Sequence, residues 1–187
     1  MNSIVSRLRN EQSEGRLPVF DFVSLNGMEM KQPFDAYVRF WEAISFNKEK
    51  KSPGIAAGKL EKLFTESSSQ EIDAEKERKP IVVLLDEIDY LVTKKQTVLY
   101  NFFDWPIRAK KANSAVQLIV IGISNTLNLP EQLHPKVQSR LGMEKCIFGA
   151  YNESDSIEIL KCRLNIANEK SGVSTFDIYI QAFFLLK

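Results

Sequence analysis

Asp86 and Glu87 close a run of five branched apolar residues, Ile81-Val-Val-Leu-Leu85. A carboxylate pair in that place could do phosphate chemistry. Mg²⁺ binds few carboxylates and completes its shell with water and phosphate oxygens, so Asp86, with Glu87 beside it, could hold the ion. Glu87 could also orient or polarise an attacking water. The ordinary alternative is a buried strand running into an acidic first helical turn. Asn125 follows the next apolar run, 117–123. It is short and neutral, and could touch a phosphate or the attacking water; the bland reading is a turn residue. Arg140 lies in Val137-Gln-Ser-Arg-Leu-Gly142. A guanidinium suits developing phosphoryl charge and could reach a neighbouring subunit's nucleotide. Its ordinary alternative is a surface salt bridge.

These residues need a scaffold that brings strand ends together. The runs 81–85 and 117–123 read as strands of a parallel sheet buried on both faces. Pro18 to Leu25 reads as a further strand, with Asn26-Gly27 as the turn after it. Residues 2–14 read as the end of an amphipathic helix stopped by Gly15. Phe34, Tyr37, Val38, Trp41 and Ile44 recur at helical spacing, and a short helix is expected over 55–64. Residues 65–79 are polar and read as a solvated loop. A helix is expected over 96–104, ending at Trp105-Pro106. Short helical pieces flank His134-Pro135, a strand is expected over Lys145 to Phe148, and an amphipathic helix over 154–167. Strands alternating with helices imply an α/β fold, a parallel sheet flanked by helices. Ligands bind such sheets at the carboxyl ends of the strands.

Composition narrows the chemistry. A net charge of +1 announces no global field for nucleic acid, so any DNA contact needs a local patch. Lys31 and Arg39 are weak candidates for one. Cys146 and Cys162 form no CxxC, which argues against a disulfide framework or a cysteine-rich zinc site and suits a reducing compartment. His134 is the single histidine, so a histidine metal site or a Ser-His-Asp triad is not expected. The 176–186 stretch is apolar but too short to span a membrane.

Several segments together carry a resemblance. Leu84-Leu-Asp-Glu-Ile-Asp89, Leu99-Tyr-Asn-Phe-Phe-Asp-Trp-Pro106, Val120-Ile-Gly-Ile-Ser-Asn-Thr-Leu-Asn-Leu-Pro-Glu131 and Ser139-Arg-Leu-Gly142 resemble the AAA+ core of the origin recognition complex subunit 1 family. Phe22-Val-Ser-Leu-Asn-Gly-Met28 and Phe148-Gly-Ala-Tyr-Asn152 are similar to it as well. The resemblance covers about residues 1–170. It implies a P-loop NTPase-type sheet with the start of a helical lid, a Walker B motif at Asp86 and Glu87, sensor 1 at Asn125, and an arginine finger at Arg140. It implies ATP and Mg²⁺ as cofactors, with Asp86, Glu87 and Asn125 at the nucleotide. It also implies a nuclear role: binding double-stranded origin DNA, joining other origin recognition subunits, and loading the helicase with a partner AAA+ protein.

Two family features do not occur in the sequence. G-x-x-x-x-G-K-[ST], whose backbone N–H groups cradle phosphates, is not present. Gly54-Ile-Ala-Ala-Gly58-Lys59-Leu60 has the wrong glycine spacing and no Ser or Thr after the lysine. The sensor 2 pattern Gly-Asp-x-Arg is missing too. The expectation is a core over 1–151, truncated before residue 1, and a partial lid over 152–187 with a divergent tail from about 173. Weak ATP binding by the chain alone is expected. The other readings are a clamp loader subunit, against which Asp-Trp-Pro and Asn-Thr-Leu-Asn-Leu-Pro-Glu argue, and a non-catalytic assembly module.

Overall fold

A computed structural model describes residues 2–45, 51–65, 79–112, 114, 116–142 and 145–171. The expected solvated loop and the divergent tail fall almost wholly outside them. The chain forms two compact units, Met1–Glu144 and Lys145–Lys187.

The first unit is built on three parallel strands, β1 (Asp21–Asn26), β2 (Ile81–Asp86) and β3 (Leu118–Gly122), in the order β1-β2-β3. α1 (Asn2–Ser13) precedes β1. Gly15, at φ 73°, takes the left-handed conformation that ends it, as its position suggested. α2 (Asp35–Ile44) and α3 (Pro53–Thr65) connect β1 to β2, and α4 (Thr97–Lys111) connects β2 to β3. Two short helices follow, α5 (Leu129–Gln132) and α6 (Pro135–Leu141). This is the expected α/β arrangement, a parallel sheet flanked by helices.

Registry aligns Val23, Val83 and Val120 across the sheet, and Leu25, Leu85 and Gly122 two residues on. With period-2 alternation these residues share one face. Val23, Leu25, Val83 and Leu85 are buried there. The helices add an aromatic cluster to the same core. Phe102 lies 5.8 Å from Tyr37, 5.6 Å from Phe40 and 5.2 Å from Trp105, ring centre to ring centre. Such pairs add about 0.5–1.5 kcal/mol each beyond the area they bury.

The structure corrects three expectations. α4 does not stop at Pro106 but continues to Lys111. Proline removes an internal hydrogen bond and normally breaks a helix. Here buried Trp105 and Ala109 anchor the helix on both sides of it, and Trp105 Nε1 donates to Glu61 Oε2 at 2.7 Å. Packing outweighs the local preference. β3 is not buried on both faces: as an edge strand it leaves Ile119 and Ile121 about half exposed. Residues 145–148 carry no strand. A β-prone run becomes a strand only where another strand completes its hydrogen bonds.

The second unit contains α7 (Glu153–Ser171), at the place expected for the lid helix. Asn152 caps it. Its Oδ1 accepts from the Asp155 N–H and the Ser154 hydroxyl, each at 2.8 Å, while Asp155 Oδ2 accepts from the Asn152 N–H at 3.4 Å. That reciprocal pair satisfies N–H groups the helix itself cannot. No described helix is long and apolar enough to cross a membrane.

Candidate functional site

Because all three strands are parallel, their carboxyl ends leave the sheet on one edge. Asn26 of β1 pairs with Asp86 of β2, and Leu85 pairs with Gly122 of β3. The segments 26–27, 86–87 and 123–125 therefore emerge side by side, where open α/β sheets bind ligands.

Glu87 turns the chain sharply out of β2. It sits at φ 53°, ψ 49°, the left-handed region that costs a non-glycine residue roughly 1–2 kcal/mol. The turn leads into a 3-10 segment, Ile88–Leu91, held to the end of β3 by the Ile88 N–H donating to the Ile123 carbonyl at 3.0 Å. Gly27 fits against this turn. A Cβ on it would lie 2.3 Å from the Glu87 carbonyl oxygen, so only glycine allows the approach. Asn26 Oδ1 accepts from the Met28 N–H at 2.9 Å and shapes the turn after β1.

Asn125 meets Glu87 directly. Its Nδ2 donates to both carboxylate oxygens at 2.8 Å. A carboxylate has about four acceptor positions, so the amide orients Glu87 while leaving it room to accept from a water. Asp86 Oδ1 accepts from the Glu87 N–H at 3.0 Å, and its Oδ2 has no partner among the described residues. One half-exposed carboxylate with an open oxygen suits Mg²⁺, which keeps several waters and takes phosphate oxygens. No described group of three or more His, Cys, Asp or Glu side chains could form an all-protein metal cage.

Asp89 belongs to this cluster and was not singled out from the sequence. Ser124 Oγ donates to its Oδ1 at 2.9 Å, and the Asn125 N–H donates to its Oδ2 at 3.1 Å. Partial burial pushes its pKa up, but hydrogen bonds from Thr126, Ser124 and the Asn125 backbone outweigh that and leave it below the ordinary carboxylate value. The signal for it was present: a third acid two residues past Glu87, and hydroxyl residues on both sides of Asn125.

Arg140 is not brought to this cluster. It lies on α6 against α4, where its Nε donates to Asp104 Oδ1 and its guanidinium carbon lies 4.5 Å from the Tyr100 ring centre. Nη1 donates to the Lys136 carbonyl at 2.9 Å. The Asp104 hydrogen bond, opposed by partial desolvation and aided by the Asp104 charge, raises its pKa above the ordinary arginine value. Nη2 has no partner among the described residues. Arg140 is thus anchored through Nε and Nη1.

The ATPase family associated with various cellular activities (AAA) matches residues 3–148, and the chain belongs to it. Its similar proteins include origin of replication complex subunit 1B of Arabidopsis thaliana, 39% identical over 94% of this chain, and origin recognition complex subunit 1 of Debaryomyces hansenii, 37% identical over 91%. The matched stretches are 20% and 19% of those proteins, so the chain spans about a fifth of the length of the curated relatives it matches. Two solved structures share the fold. A chain of the Drosophila origin recognition complex (ORC) bound to DNA has a TM-score of 0.62 at 24% identity, with 95% of this chain and 49% of that chain covered. The Aeropyrum pernix ORC1 protein in complex with DNA has a TM-score of 0.58 at 24% identity, with 86% and 38% covered.

Proposed function

We propose that this chain is the nucleotide-binding core of an origin recognition complex subunit 1, an ATPase of DNA replication initiation. The observation that carries the hydrolytic part is the Asn125–Glu87 contact at the ends of adjacent parallel strands. In this reading Glu87 accepts a hydrogen bond from the attacking water and polarises it. Asn125 keeps the Glu87 carboxylate in place and faces the water or the γ-phosphate. Asp86 would hold Mg²⁺ directly or through water, and the ion would neutralise charge developing on the phosphates. Asp86, Glu87 and Asn125 are the nucleotide-side residues. Glu87 is the weaker metal ligand of the two acids, because both its oxygens already take hydrogen bonds from Asn125.

Arg140 acts on a neighbour's nucleotide. Anchoring by Asp104 and Tyr100, with Nη2 left open among the described residues, suits a guanidinium that offers one NH₂ group to a neighbour's phosphate. The similarity to subunit 1 proteins supports the wider role: a nuclear protein that works with other origin recognition subunits and a helicase-loading AAA+ partner on double-stranded origin DNA.

The test uses the complete protein in its assembled complex. Glu87→Gln should retain ATP and lose turnover, since the amide keeps the size and loses the base. Asp86→Asn should weaken the Mg²⁺ dependence of ATP binding. Hydrolysis by both variants at the parent rate would overturn the assignment.

A further inference from the structure

We propose that Asp89 is a positioning residue for hydrolysis, acting through Asn125 by fixing the loop that carries it. The inference rests on the hydrolytic reading of Glu87 and Asn125. Asn125 has an exposed side chain on a loop just past an edge strand, a place where an amide would ordinarily sample several rotamers. Its bond to both Glu87 oxygens requires one backbone position. Asp89 supplies that position with both carboxylate oxygens: Oδ1 takes the Ser124 hydroxyl and Oδ2 takes the Asn125 N–H. The loop is closed further by the Thr126 N–H donating to Ser124 Oγ at 3.0 Å. The three residues 124–126 are thus one hydrogen-bonded unit with Asp89 at its base.

Asp89 is itself well placed to be rigid. It lies in the 3-10 segment between Ile88 and Leu91, both buried in the core. Glu87 immediately precedes the same short segment. One stretch of four residues, 86–89, therefore carries the two acids at the strand-end edge and the acid that holds Glu87's hydrogen-bonding partner, Asn125. Movement of the Asn125 backbone away from Glu87 requires breaking its N–H bond to Asp89. Asp89 needs no contact with substrate in this role. A displacement of about 1 Å at a positioned group can cost about 10²-fold in rate.

The test is a rate cycle in the complete protein within its assembled complex, read by single-turnover ATP hydrolysis so that slow variants remain measurable. Asp89→Asn retains one acceptor oxygen and turns the other position into a donor facing donors. It should lower kcat by ~10- to 10²-fold, with KM and the affinity for a fluorescent ATP analogue changed less than about twofold. In an Asn125→Ala background the same substitution should lower kcat no further, because its effect runs through Asn125. A merely structural Asp89 would give equal losses in both backgrounds, and that result would overturn the proposal. Ser124→Ala removes a single contact to Asp89 and keeps the test open if Asp89→Asn does not fold. It should lower kcat by about threefold or more with the same dependence on Asn125, and a parent-like kcat would overturn the proposal. Glu87→Gln at the parent rate would overturn the hydrolytic reading and the positioning role with it. Loss of turnover in Glu87→Gln beside a parent-like Asp89→Asn would overturn the positioning role alone.

Discussion

Asp104 grips Arg140 across two helices: Arg140 Nε lies 2.5 Å from Asp104 Oδ1. Asp104 is buried, and its other oxygen takes Arg108 Nε at 2.9 Å. Arg108 also pairs with Glu61, which accepts from Trp105. Arg140→Ala leaves a buried carboxylate with one partner fewer and should lower the stability of the fold, read as a lower denaturant midpoint. In the assembled complex it should also slow hydrolysis at the neighbouring nucleotide by ~10³–10⁵-fold while this subunit's own ATP binding stays intact. Arg140→Lys keeps the charge but not the fork, and should restore neither property fully. A stability loss with unchanged hydrolysis at the neighbour would show Arg140 to be an intrachain clamp only.

Gly27 sets how close the end of β1 comes to Glu87. Gly27→Ala places a methyl group against the Glu87 carbonyl oxygen, a backbone atom that cannot swing aside. The expected cost is about 1–3 kcal/mol of stability. Because the displaced atom belongs to Glu87, hydrolysis in the complete protein should fall more than the loss of folded molecules explains. Unfolding curves and turnover, measured on the same sample, separate the two effects. Parent-like stability would mean that the two turns do not meet as described.

Tyr37 provides a pH signature of the core. Burial, opposed by a hydrogen bond from Asn101, pushes its phenol from the ordinary 10.0 up to about 12. A raised folded-state pKa means that the native state holds the proton more tightly than the unfolded chain. The resulting stability is complete below pH 10 and is lost as pH rises toward 12, in total about 3 kcal/mol. Tyr37→Phe should flatten that part of the stability–pH curve. It removes the hydroxyl that accepts from Asn101 at 2.9 Å and so should lower stability at neutral pH by about 1 kcal/mol. A curve of unchanged slope in Tyr37→Phe would assign the alkaline loss to other groups.

Much of the fold was legible because its signals are local. Ile81 to Leu85 is an apolar run cut off by two acids, and both halves of that pattern survive as β2 and the turn after it. Asn125 was legible because it follows the next such run, and parallel strands present their ends together. Other features were not legible, because they depend on residues distant in sequence. Asp89 takes its meaning from Ser124 and Asn125, 35 and 36 positions away. Arg140 reads as an exposed cation until α6 is laid against Asp104. Pro106 gave the wrong helix end, since nothing near it in sequence shows that Trp105 would bond to Glu61. The strand expected over 145–148 does not form, because β-prone residue types alone do not supply the pairing a strand needs.

The left-handed backbone at Glu87 sets folding against function at a single residue. A glycine there would adopt the same turn without steric penalty. Glu87→Gly should therefore raise stability by roughly 0.5–1 kcal/mol, after allowing for the greater freedom of glycine in the unfolded chain. It should abolish hydrolysis at the same time. On the proposed hydrolytic reading, the carboxylate is what the glutamate brings to a backbone angle that glycine would adopt at lower cost. A Glu87→Gly variant less stable than the parent would remove this argument, and differential scanning calorimetry decides it.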